Sequence, residues 1–222
     1  MKFTLQSTGE AIDFTPARVI IAGYTGRDQE KVRAHIRELE AEGIPPPGEI
    51  PTVFHATLDR LTTAAGLPVA GARTCGEAEA VLLVGGENIW IAVGSDHTDR
   101  ELEKSDIPAS KQACPKPVSG RVWSYADVRA RWDDLVLRSW VGEAGREELY
   151  QEGRMGALMK PEDILALLGR RGERVENAAV YTGTIPLIAG AFAFRPYFEA
   201  ELFDPATGRA LNCAYRARPT AA

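Results

Sequence analysis

Apolar positions in this chain fall mostly in short runs and period-two alternations, not in long helical stripes. Ala17–Ala22 (ARVIIA) is one such run, the pattern of a strand buried on both faces. Val81–Val84 and Ile89–Val93 are two more, joined by Gly85-Gly86-Glu87-Asn88; this predicts a hairpin with a short glycine-containing loop. Leu135–Val141 alternates as a strand does. Phe198, Ala200 and Leu202 alternate before Asp204-Pro205-Ala206-Thr207-Gly208, and Leu211, Cys213 and Tyr215 alternate after it, which predicts a C-terminal hairpin.

Helical spacing is rarer. Val32, His35, Ile36 and Leu39 fall at i, i+3, i+4 and i+7, predicting a helix over about 28–43 with Asp28 as N-cap, ended by Gly43 and three prolines. Ser124 and Asp127 have the spacing of a capping box, leading a helix through Tyr125, Val128 and Trp132 that stops near Asp133. Pro161 opens a third helix whose apolar side is Ile164, Leu165 and Leu168. The fold class expected is α+β, predominantly β, with peripheral helices.

Composition narrows the class. The 222 residues are 45% hydrophobic and 26% charged, ordinary for a globular protein and too apolar for a disordered one. Lys plus Arg number 26 against 31 Asp plus Glu, a net charge of −5, which argues against a nucleic-acid partner. Cys75, Cys114 and Cys213 form no CxxC pair and suggest neither a disulfide framework nor a zinc site. The start MKFTLQSTGE has no apolar core of a signal peptide, and the longest apolar run, about 185–194, is too short to cross a membrane. A cytoplasmic protein of one domain, 1–222, is expected.

Gly76-Glu77-Ala78-Glu79 stands directly before the Val81–Val84 strand. If the strand begins early, Glu77 and Glu79 share a face, and two adjacent carboxylates need solvent, a cation or a raised pKa. The hairpin could return Asp96 toward that pair. Three carboxylates without thiols suit Mg²⁺ or Mn²⁺; the competing reading is a solvated strand face. His35 and Glu38 are i, i+3 neighbours, a spacing that lets a carboxylate orient an imidazole for general-base work. His97 adjoins Asp96 but should point to the opposite face, and His55 could be a packed residue or a substrate contact.

These pieces occur in an order that resembles the fumarylacetoacetate hydrolase superfamily. His35-x-x-Glu38 followed by prolines and Val53-Phe54 is similar to its lid helix, and Glu77 to Gly85 to its metal-binding E-x-E strand. Ser95-Asp96-His97-Thr98-Asp99-Arg100-Glu101 resembles its N-D-V-T-x-R-D stretch, Ser110-Lys111-Gln112 its G-K-S segment, and Tyr181-Thr182-Gly183-Thr184-Ile185-Pro186 its T-G-T-P loop with one residue inserted.

The resemblance implies a mixed β-roll, often homodimeric. It implies a hydrolase that cleaves a carbon–carbon bond in a 2-oxo acid or 1,3-dicarbonyl acid. Glu77, Glu79 and Asp96 would hold Mg²⁺ or Mn²⁺, His35 and Glu38 would activate water, and Lys111 (with Lys116 as rival) would add positive charge. Thr184, Tyr181 and Gly183 would bind the carboxylate of a small-molecule substrate. A decarboxylase, hydratase or tautomerase on the same site is the alternative, and a non-catalytic β-roll protein a second.

Overall fold

The computed structural model describes residues 1–41, 43–143 and 146–220, with the backbone alone for His35, Glu38 and Arg146. The expected class holds: strands dominate and the helices lie at the periphery. Among the described residues an eight-stranded sheet runs in the order Ala11–Asp13, Lys2–Leu5, Arg121–Ser124, Asn88–Ser95, Ala78–Gly85, Ala178–Thr184, Arg18–Gly23, Thr52–Ala56. A five-stranded sheet packs against it, in the order Arg146–Arg154, Val136–Glu143, Tyr197–Asp204, Arg209–Pro219, Gly66–Val69.

The central strand Ala78–Gly85 shows why its sequence is a nearly unbroken apolar run. Ala80, Leu82 and Val84 enter the core shared with the five-stranded sheet, beside Leu137, Phe198 and Leu202. Val81 and Leu83 point the other way, into a second core with Val19, Ile21, Ala179 and Tyr181. A strand covered on both faces has no polar side to alternate with. Its hairpin is tighter than expected, since Gly85 and Asn88 still pair and Gly86-Glu87 alone make the turn. Gly86 takes φ +59°, the first position of a two-residue turn that favours glycine.

The first helix spans Gln29–Ala41. Asp28 Oδ1 accepts the N–H groups of Glu30 (3.1 Å) and Lys31 (3.2 Å), as an N-cap does. Gly43, at φ +88°, closes it: Gly43 N–H reaches Glu40 O and Ile44 N–H reaches Leu39 O, both at 3.0 Å, the bond pair of a Schellman motif.

The capping box is a correction. Ser124 makes no side-chain cap bond, because it is the last residue of a strand, paired with Trp90. The helix that follows is only Tyr125–Val128 before the chain tightens into a 3₁₀ turn over Arg129–Asp134. The strand Arg146–Arg154 went unmarked because its sequence REELYQEGR is mostly charged.

Candidate functional site

The hairpin register assembles the carboxylates. Ala78 pairs with Ser95 and Glu79 with Gly94, and Asp96 N–H donates to Glu77 O at 3.0 Å. Asp96 therefore stands across from Glu77. Glu79 shares the strand face of Val81 and Leu83, and only 3% of it is exposed, so the solvated-face reading does not hold. Beside it, the register with Ala178–Thr184 shifts between Tyr181 and Thr184, a bulge that re-aims the backbone. Gly183 N–H thereby donates to Glu79 Oε2 at 2.8 Å. Gly183 sits at φ +91°, and a Cβ there would lie 2.2 Å from Thr25 Oγ1; no other residue fits.

Glu77, Glu79, Asp96, Lys111, Gly183 and Thr184 line one pocket of about 90 Å³. Tyr24, Arg100 and Glu103 line it too, and sequence reading assigned none of them a role. Arg100 and Glu103 are one turn apart on the short helix Arg100–Glu103, both buried. Their i, i+3 spacing can be seen in the sequence, but Glu103 lies beyond the Ser95–Glu101 stretch and nothing local assigns it to a pocket.

Lys111 is the hub. Its Nζ lies 2.7 Å from Asp96 Oδ2, 3.3 Å from Glu77 Oε2 and 3.6 Å from Glu103 Oε1. It also donates to Thr98 Oγ1 at 3.0 Å. Arg100 holds the other side, with Nη2 3.0 Å from Glu77 Oε2 and Nη1 2.7 Å from Glu103 Oε2. Lys116, fully buried, donates to His97 O at 2.6 Å, and its Nζ lies 3.0 Å from Asp96 Oδ1. That contact pairs Asp96 Oδ1 with a fully buried ammonium, as Lys111 pairs its Oδ2. Between the two lysines, Lys111 faces the pocket and Lys116 supports Asp96 from beneath.

The charges sort themselves by partner. Burial raises the Asp96 carboxyl, but Lys111 and then Lys116 outweigh it and bring its pKa to about 2. Burial likewise raises Glu77, and Arg100 and Lys111 overcome it and hold it below the usual value. Glu79 has no ion-pair partner among the described residues. Burial, then the charges of Asp96 and Glu77, push its carboxyl well above the usual value, and the Gly183 amide and Lys111 only partly offset them. Burial opposes charge on Lys111, yet Asp96, Glu77 and Glu103 keep it firmly protonated.

Three carboxylates lining one pocket, Glu79 among them without an ion-pair partner, offer the oxygen donors that a hard divalent ion takes. In this arrangement the Lys111 ammonium stands among them, and no three such groups among the described residues already converge on a single point. Entry of a metal would require Lys111 to turn toward Glu103 and Thr98, both already within its reach.

Other expected residues are placed differently. Tyr181 lies outside the pocket: it is fully buried and its hydroxyl donates to Lys116 O at 2.8 Å. The Thr184 hydroxyl donates to Ala78 O at 2.7 Å and accepts from Gln151 at 2.8 Å, which leaves backbone amides to meet a carboxylate. His97, between the strands Asn88–Ser95 and Thr98–Asp99, lies outside the pocket lining and bonds Tyr215 (2.8 Å) and Thr74 (2.9 Å). Exposed His55 pairs with Glu173 at 3.0 Å. The side chains of the His35–Glu38 dyad lie outside the described residues; their helix packs Val32 and Ile36 inward and brings Leu39 to the pocket.

Comparison with solved structures bears on this geometry. A crystal structure of Cg1458 with inhibitor superposes with TM-score 0.68 at 16% identity, over 96% of this chain and 84% of that one. A 2-keto-3-deoxy-D-arabinonate dehydratase complexed with magnesium and 2,5-dioxopentanoate superposes with TM-score 0.61 at 18% identity, over 92% and 74%. Both have the fumarylacetoacetate hydrolase fold, as the sequence motifs implied. No curated protein matches the chain in sequence. The family model described as protein of unknown function (DUF2848) matches residues 22–215, and the chain belongs to that family.

Proposed function

We propose that this chain is a divalent-metal-dependent enzyme acting on a 2-oxo acid or a 1,3-dicarbonyl acid through an enolate. The observation that carries the reading is that Glu77, Glu79 and Asp96 all line one pocket that also holds a buried ammonium. The dehydratase of the same fold, complexed with magnesium and a 2-oxo acid, supports it. Glu77, Glu79 and Asp96 would hold Mg²⁺ or Mn²⁺, which supplies Lewis-acid charge to stabilise an enolate.

The chain's own residues do the remainder. Lys111 offers a second positive charge to the same oxygens, and its bonds to Glu103 and Thr98 fix its reach. The Gly183–Thr184 loop, which also lines the pocket, would contact the substrate carboxylate. The Gln29–Ala41 helix, ending at a glycine cap, would act as a lid that excludes water. His35, oriented by Glu38, would take a proton from water in carbon–carbon hydrolysis.

Elimination of water is the second reading, favoured by the dehydratase neighbour. The test is turnover of a panel of acylpyruvates and 3-deoxy-2-oxo sugar acids with Mg²⁺, for wild type and His35→Ala. Acylpyruvate cleavage that falls about 10²–10⁴-fold in His35→Ala supports the hydrolase. Dehydration alone replaces it with the lyase, and no Mg²⁺-dependent turnover of any 2-oxo acid rejects both.

A further inference from the structure

Tyr24 follows the Arg18–Gly23 strand and has φ +57°, a left-handed conformation that a bulky residue adopts only at a cost. Glycines stand on either side, at 23 and 26, but for other reasons. A Cβ on Gly26 would lie 2.7 Å from Val32 Cγ2, and one on Gly23 would touch the Phe54 ring at 3.4 Å. Neither has positive φ. The one position where the backbone favours glycine carries a tyrosine instead.

That tyrosine lines the pocket. The strand end holds it there: Thr25 Oγ1 donates to Thr182 O at 2.6 Å, and Thr25 O accepts Met159 N–H at 2.9 Å. Thr25 is thus tied through its hydroxyl to the Ala178–Thr184 strand and through its carbonyl to Met159, which anchors the turn on the side next to Tyr24. Among the described residues the Tyr24 hydroxyl has no hydrogen-bond partner, although the charges of Lys111, Glu103, Glu77 and Arg100 all act on it. Burial foremost pushes its pKa up to about 12, so it stays a neutral donor at any working pH. A strained residue with an unpaired donor in a charged pocket is what a ligand-binding position looks like before its ligand arrives.

We propose that Tyr24 is a substrate-binding residue, its hydroxyl donating a hydrogen bond to an oxygen at the 2-oxo-acid end of the substrate. This rests on the reading that the pocket takes a 2-oxo acid.

Oxalate, which mimics the 2-oxo-acid enolate, is the probe. Its binding to Mg²⁺-loaded wild type and Tyr24→Phe is measured by calorimetric titration, with thermal melting of both without ligand. Tyr24→Phe should weaken oxalate about tenfold, the loss of one directed hydrogen bond, and change Tm by no more than about 2 °C. Tyr24→Gly should melt higher than Tyr24→Ala, because both remove the ring and glycine alone removes the backbone penalty. Oxalate affinity unchanged in Tyr24→Phe overturns the proposal while leaving the proposed function standing. So does a Tm drop well beyond that range, which would make Tyr24 structural, or Tyr24→Gly melting at or below Tyr24→Ala. Wild type that binds no oxalate with Mg²⁺ overturns both.

Discussion

Glu79 is buried beside Asp96 and Glu77, while Arg100, Lys111 and Lys116 are all engaged with Glu77, Asp96 and Glu103, so burial and its two anionic neighbours push its carboxyl well above the usual value. Its folded pKa lies above its unfolded value, so its ionisation costs stability, and that stability is recovered as the pH falls from the folded pKa toward the unfolded one. Glu79→Gln should therefore fold normally and melt no lower than wild type without metal, yet lose stabilisation by Mg²⁺. Thermal melting with and without the ion reads both.

His97 works in the opposite sense. Burial, then Lys116 and Arg100, lower it from 6.5 to about 3. The unfolded chain takes up this proton first, so stability falls as pH drops from about 6.5 toward 3, by about 1.4 kcal/mol per unit. Denaturant melts of metal-free protein should show that slope, and His97→Gln should flatten it. Sequence pointed to the E-x-E pair and Asp96 because period two and a hairpin suffice to place them. It missed Glu103 and Tyr24 because nothing local marks a residue that acts through a pocket wall built from distant strands.

At the scale of elements, the bulge at Thr182–Gly183 links the sheet to the pocket. Gln151 stabilises it from behind. Its Oε1 accepts from Ala78 N–H (3.0 Å) and Ser139 Oγ (2.8 Å), and its Nε2 donates to Thr184 Oγ1 (2.8 Å) and Ile185 O (2.7 Å). Gln151→Leu would strand several buried groups and should cost about 1–3 kcal/mol for each one left unsatisfied, read as a Tm drop of several degrees. Gly183→Ala should fall at least as far, since it meets both a forbidden φ and Thr25.

The helices and hairpins were readable because caps, prolines and apolar period act locally. The bulge was not. In the sequence Ile185 looks like an inserted residue in a loop; in the fold it is buried and packs on Gly153, and the irregularity is absorbed by strand register. The Ser124 cap failed for a related reason, since a residue claimed by a strand ladder is not free to cap a helix.

For the whole molecule, the two-sheet architecture was implied by the motif order more than by any single stretch, since strands such as Arg146–Arg154 carry too few apolar residues to mark themselves. No helix among the described residues is long and apolar enough to cross a membrane. The resemblance to a family that is often dimeric leads to the proposal of a homodimer, so light scattering should give twice the chain mass of 24.1 kDa; a monomer would reject that part of the architecture.

The central claim is that Glu77, Glu79 and Asp96 together hold one divalent cation to which a 2-oxo acid binds. Electron paramagnetic resonance with Mn²⁺ tests it most directly, because the bound ion reports its own ligands. Titration should reveal one site per chain whose spectrum changes when oxalate is added, and Glu79→Gln, folded as well as wild type, should lose that site. Mn²⁺ bound equally by wild type and Glu79→Gln, or a spectrum that oxalate leaves untouched, would contradict the account.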